Sequence, residues 1–176
     1  MINLITNDDF TGNLEKVFSG SGNATEYLND IITKYQKEIL IDILGEIEYY
    51  NFENDFTDDE PQTTKWINFL NGTDYVVDLI HYDYKGIKPV LIKFIFYYWQ
   101  KETVSILGES GELSNNQINS TKIIPINKMV ASYNDGVDLI KSSRTYAPTV
   151  YKYLYDEGTF TDWIFTKREK INSFNL

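Results

Sequence analysis

Apolar residues recur at helical spacing through most of this chain. From Asn23, which forms capping-box spacing with Glu26, the residues Leu28, Ile31, Ile32, Tyr35, Ile39 and Ile43 fall on one helical stripe, and Gly45 is suited to ending it. The pattern then predicts a short helix from Glu46 to about Asn54 that turns Ile47, Tyr50 and Phe52 inward, stopped by the acidic turn Asp55 to Glu60 and by Pro61. Thr64 to Leu70 reads as another short helix, ended by Asn71-Gly72. Tyr75 to Tyr84 mixes β-branched and aromatic residues and fits either a small β-hairpin or an irregular wall segment.

The strongest signal follows Gly86. Pro89 suits the first turn of a helix, and from Val90 to Leu107 nearly every face is apolar, with Leu91, Ile92, Phe94, Ile95, Phe96 and Trp99 among its residues. Lys93 interrupts the run and Gln100, Lys101 and Glu102 follow it, which removes a transmembrane reading. A helix of this kind needs cover all round, from its own domain or from a neighbouring subunit. Gly108 to Lys122 is polar, and a loop this long in a compact domain is either disordered or functional. Ile126, Met129, Val130, Tyr133, Val137 and Ile140 mark a further amphipathic helix. Pro148 opens a shorter one holding Val150, Tyr151, Leu154 and Tyr155.

The pattern predicts a mainly α fold: a compact bundle of five to six helices around the central aromatic helix, with a long polar loop, a small β-hairpin and extended termini. It predicts one domain over 1–176, with an N-terminal arm at 1–23 that has little core and at most a short strand around Ile2 to Ile5. The helical core runs over 24–157, with its loop at 108–124, and a tail runs over 158–176. Length agrees, since a domain near 176 residues buries roughly 70% of the surface its unfolded chain exposes.

Charge and composition narrow the chemistry. A formal net charge of -10 disfavours wrapping by nucleic acid, whose affinity comes from Lys and Arg displacing counterions; it suits a solvated surface, or one past which DNA slides. The absence of cysteine rules out disulfides and thiolate chemistry and suits a reducing compartment. The opening MINLITNDDF lacks the features of a signal peptide, so neither export nor membrane insertion is expected.

The one histidine, His81, has no nucleophile or carboxylate at a recognised spacing and reads as structural. No GxGxxG, GxxxxGK[ST], GxSxG or HExxH occurs. Asp55, Asp58, Asp59 and Glu60 lack the glycine and ligand rhythm of a calcium loop and read as a solvated turn. No catalytic, cofactor-binding or metal-binding residue is assigned. Aromatic tail residues admit two readings: they close the domain's own core, or they anchor it to a partner. Lys167, Arg168 and Lys170 fit an acidic neighbouring surface or a solvated helix end. Candidate interface residues are Glu109, Glu112, Leu113, Asn116 and Ile118 in the polar loop, and Phe160, Trp163, Phe165, Arg168 and Phe174 in the tail.

Three segments carry a resemblance: YLNDIITKYQKEILIDILGEIEYYNF, then TKWINFLNG, then GIKPVLIKFIFYYWQKETVSILGESG followed at a distance by INKMVASYNDGVDLI. Their order over residues 24 to 145 resembles the small head-to-tail connector proteins of tailed bacteriophages, notably those of crAss-like and other Bacteroides phages. In that family a helix-LG-short-helix opening precedes a Trp-containing helix, a central aromatic helix with a GLKP-like start, a Glu- and Ser-rich loop and a helix with a KMV core. Leu44-Gly45, Trp66, Gly86 to Pro89, Gly108 to Thr121 and Lys128 to Val130 hold those positions here. The tail after Gly158 departs from the pattern.

The resemblance implies a non-enzymatic virion protein, without cofactors, assembled in the host cytoplasm. It would form a ring of twelve copies beneath the portal, join head to tail and extend the DNA channel without sequence-specific binding. Its partners would be itself, the portal and other neck or tail proteins, with no membrane. A tail-completion or terminator subunit is the nearest variant. A small accessory hydrolase and a soluble binding module are rivals from other classes.

Overall fold

A helix without a polar face persists only where other elements cover it, and the fold is arranged around that demand. The computed structural model describes residues 3–11, 22–109, 125–142, 147–163 and 168–172. Among these, the order is α1 (Gly22–Leu44), α2 (Glu46–Asn54), β1 (Phe56–Thr57), β2 (Glu60–Pro61), α3 (Thr64–Asn71), β3 (Thr73–Val77), β4 (Ile80–Tyr84), α4 (Lys88–Glu109), α5 (Pro125–Ile140) and α6 (Val150–Glu157). The protein is therefore mainly helical, with two small antiparallel hairpins.

Val90, Leu91, Phe94, Ile95, Phe96, Tyr97 and Trp99 of α4 are all buried. Full burial of such a side chain contributes about 1.5–3 kcal/mol. Helix α5 packs against α4 most extensively, and Lys93, the charge in the apolar run, sits where they meet. Its carbonyl accepts a hydrogen bond from Ser132 Oγ at 2.8 Å and its ammonium pairs with Asp135 at 2.8 Å. Helix α1 covers a second side with Leu28, Ile31, Ile32, Ile39, Leu40 and Ile43. Tyr35 of α1 stacks on Tyr98 of α4 with ring centroids 4.0 Å apart. One turn further along α4, the Glu102 carboxylate accepts from Lys34 at 2.6 Å, from Tyr27 at 3.2 Å and from Tyr35.

Several details differ from the sequence pattern. In α2, Ile47 and Tyr50 are exposed while Glu48, Tyr49 and Phe52 are buried. Ile47/Tyr50 and Tyr49/Phe52 have the same i, i+3 spacing, so periodicity alone does not choose between them. Tertiary partners choose: Lys65 meets Glu48 at 2.9 Å, and Phe52 enters an edge-on cluster with Trp66 and Phe69. In α6, Tyr153 is buried and Tyr155 exposed, because Tyr153 stacks on Tyr84 of β4 at 4.3 Å. Helix α1 begins at Gly22, ahead of the expected cap at Asn23, and α4 continues through Gly108 and Glu109, the first residues of the expected loop.

The described part of the N-terminal arm, residues 3–11, contains a single 3-10 turn at Asn7–Asp9 and no strand. It belongs to the core, since Ile5 and Phe10 are buried and Leu4 N–H donates to the Gln36 side chain at 2.7 Å. The acidic turn is a built element. Asp58 and Asp59 connect β1 to β2 with positive φ, and the Asp55 carboxylate accepts the N–H groups of Gln62 and Thr63, each at 2.8 Å. Residues 110–124, 164–167 and 173–176, and with them Glu112, Leu113, Asn116, Ile118, Phe165 and Phe174, lie outside the described residues.

The β3–β4 hairpin is held at its foot by two glycines packed back to back. Gly72 (φ +91°) leads into β3 and Gly86 (φ +78°) leaves β4. A Cβ on Gly72 would overlap the Tyr84 carbonyl oxygen, and one on Gly86 would overlap the Leu70 carbonyl oxygen. Positive φ and backbone contact both exclude a side chain there.

We expect Gly72→Ala to lower stability by about 2–3 kcal/mol, read from the urea midpoint. A second expectation concerns acid. Lys34 and Tyr35, donating to Glu102, hold its carboxyl below the ordinary glutamate range. The native state then binds fewer protons than the unfolded chain, so this stabilisation is present above about pH 4.3 and fades as pH falls through the lower folded value. Denaturant titrations at neutral and acidic pH should show a flatter acid-side loss in Glu102→Gln than in the native chain. An equal loss in both would exclude Glu102 as its source.

Candidate assembly surface

Of the tail residues singled out in the sequence, the described ones, Phe160, Trp163 and Arg168, pack against the body of the chain. Phe160 is buried, its ring within 5.4 Å of Trp66 and 5.9 Å of Tyr153 by centroid, with the Lys65 ammonium 4.3 Å above it. That ammonium also reaches the Thr159 carbonyl at 3.0 Å, while Glu48 accepts the Asp162 N–H at 3.3 Å. Trp163 is half-buried against the core; its indole N–H donates to the Ile43 carbonyl at 2.8 Å, near the end of α1. Arg168 is buried, paired with Asp42, and lies 4.8 Å from the Phe94 ring centroid. Lys170 pairs with Asp138 at 2.7 Å, and the Asn134 amide both donates to and accepts from the Ile171 backbone at 2.9 Å.

Of the two readings of the tail, its described aromatic residues take the intramolecular one. Phe160, Trp163 and Arg168 each make contacts within the chain. Glu109 lies in the last residue of α4. The loop candidates beyond it, with Phe165 and Phe174, lie outside the described residues.

An exposed apolar feature lies on the β3–β4 hairpin. One face of the hairpin is a tyrosine platform: Tyr75 stacks on Tyr82 at 5.1 Å, and Tyr153 of α6 meets Tyr75 edge-on and Tyr84 face-on. Tyr84 donates to the Phe69 carbonyl at 3.1 Å and Tyr75 to Asp156 at 3.4 Å. Burial pushes the Tyr84 hydroxyl well above its ordinary pKa, with the neighbouring tyrosines adding to it. Burial, and then the Asp156 carboxylate, does the same to Tyr75. Both hydroxyls therefore remain protonated donors at neutral pH, and the hairpin is fixed to the body.

Its tip is the opposite of buried. The two-residue connection Asp78-Leu79 has positive φ at both positions, +51° and +66°, the geometry of a hairpin turn that favours Asn and Gly. Leu79 is 95% exposed there, with Val76 and Ile80 exposed beside it. Turn chemistry disfavours a leucine at that backbone and solvent gains nothing from it. The β1–β2 turn takes the same conformation with Asp58-Asp59, polar residues that suit it.

At the hairpin's foot lies a groove of about 510 Å³, bounded by Pro89, Val90, Leu139, Pro148 and Val150, with Lys85, Asp138 and Lys170 at its polar positions. Leu139 is partly exposed within it. The signal for the tip was present in the sequence as Val-Val-Asp-Leu-Ile, but a hydrophobic run reads as buried strand until the turn is located within it. Among the described residues no three acidic or histidine side chains gather to hold a metal ion, and His81 is exposed on β4. No helix among them is long and apolar enough to cross a membrane.

Because its ring serves the core, Trp163→Ala should cost about 2 kcal/mol in thermal or urea unfolding. Self-association should follow that loss and no more; a variant of native stability that no longer associates would return Trp163 to the partner-facing class. No family model, no curated protein and no solved structure matches this chain.

Proposed function

We propose that this protein is a structural subunit of a tailed bacteriophage neck: a ring-forming connector that sits beneath the portal, joins head to tail and extends the DNA channel. The observation that carries the reading is the exposed apolar hairpin tip on a rigid tyrosine platform. A preformed apolar anchor favours association because little conformational freedom is lost when it docks. The order of segments resembling phage connectors supplies the kind of assembly. Those segments correspond to α1–α2, α3 and α4–α5, the elements that build the core. The net charge of -10 fits a subunit past which DNA moves, since an acidic wall does not retain a polyanion.

The test is the mass of the purified chain, alone and mixed with a candidate portal protein, by native mass spectrometry. A closed ring, formed alone or only on the portal, is the expected result. A monomer indifferent to the portal would overturn the reading.

A further inference from the structure

We infer that residues 168–172 are a salt-sensitive strap, a segment clasped by ion pairs to α1 and α5 across the face of α4, which opens locally while the domain beneath it stays folded. The strap belongs to the single chain, so it stands whether or not the ring forms.

The segment ties together elements that are distant in the chain. Arg168 pairs with Asp42 of α1, and its guanidinium lies 4.8 Å from the centre of the Phe94 ring on α4. The Tyr98 hydroxyl of α4 lies beside the same guanidinium. Lys170 then pairs with Asp138 of α5 at 2.7 Å, and Asn134 of α5 brackets the Ile171 backbone with two hydrogen bonds of 2.9 Å. Helices α1 and α5 both pack on α4, and the strap joins one to the other over the Phe94 ring.

What holds the strap differs from what holds the tail before it. Upstream, Phe160 sits in the core and Trp163 packs against it, so that stretch is anchored by apolar burial. Among residues 168–172 the one buried side chain is Arg168, and the half-buried Ile171 is outside the core cluster. Burying a guanidinium carries a desolvation cost that an ion pair offsets only when its remaining donors are satisfied. Here Arg168 Nε is buried with no hydrogen-bond partner among the described residues. Its carboxylate partner Asp42 is 47% exposed, and Lys170 and Asp138 are both about half in water. Dissolved ions therefore reach both pairs and screen them, while the apolar anchors upstream are not held by charge. Rising ionic strength loosens the strap selectively. Opening lifts a cation from the face of Phe94, a ring that is otherwise fully buried.

One amide reports directly on the strap. The Ile171 N–H donates to the Asn134 side chain and exchanges with solvent when the strap opens, whereas the amides of Phe94 and Ile95, inside α4, exchange when the body opens. Hydrogen exchange of the full chain, followed by NMR, is compared in about 0.1 M and about 1 M sodium chloride, between which the screening length falls from about 10 Å to about 3 Å. The Ile171 amide should exchange roughly five-fold or more faster in the higher salt, with Phe94 and Ile95 unchanged. Asp42→Asn removes the charge of the α1 partner and keeps its shape. In low salt its Ile171 amide should already exchange faster than that of the native chain and should respond less to added salt, at a melting temperature within about 2 °C of the native one. An Ile171 amide that exchanges no faster than those of Phe94 and Ile95 at either salt concentration would mean that the segment opens only with the whole domain, and the strap is then wrong. Local exchange indifferent to salt and to Asp42→Asn would overturn it as well. So would a melting temperature far below the native one in Asp42→Asn, since the pair would then hold the fold itself and not a separable segment.

Discussion

From Lys88 to Glu102, helix α4 leaves almost no face in water, and the other described elements are arranged to cover it. Helix α5 lies along one side and α1 along another, and the tail brings Arg168 to the ring of Phe94. Apolar burial supplies the driving force without direction. Direction comes from a few polar groups placed where the elements meet: Ser132 on the Lys93 carbonyl, Glu102 between two tyrosines and a lysine of α1, and Glu48 beneath Lys65. Each of these would be costly to bury without its partner, so each fixes one relative position of the elements it joins.

The tail illustrates how such groups turn a polar segment into part of a fold. Phe160 and Trp163 supply apolar area, but their seats are fixed by the Lys65 to Thr159 and Trp163 to Ile43 hydrogen bonds. Farther along, Asn134 treats the Ile171 backbone as a strand would, giving one hydrogen bond and taking one. Basic residues that could have faced a partner are drawn onto Asp42 and Asp138 of the same chain.

The hairpin shows the opposite economy. Stacked tyrosines, a pair of facing glycines and hydrogen bonds to Phe69 and Asp156 hold its base, while its tip combines a left-handed leucine with exposed valine and isoleucine. A strained and apolar tip persists because the base beneath it over-determines its position. Proteins store such strain where they meet something else, and this connects the fold to the assembly proposed for it.

The sequence by itself determined the helices, their order and most of their ends, because periodicity and the glycines and prolines that punctuate it are local properties. It also determined that α4 needed cover all round. The tertiary structure alone decided which stripe of α2 faces inward, since Ile47/Tyr50 and Tyr49/Phe52 are equivalent until Lys65 and Trp66 arrive from α3. It decided Tyr153 over Tyr155 through the ring of Tyr84, and it drew Ile5, Phe10, Phe160 and Arg168 into or against a core built from distant segments. It also turned one apolar run, Val76 to Ile80, outward at a turn. These outcomes depend on contacts between residues far apart in the chain, and such contacts leave no periodic trace in the sequence.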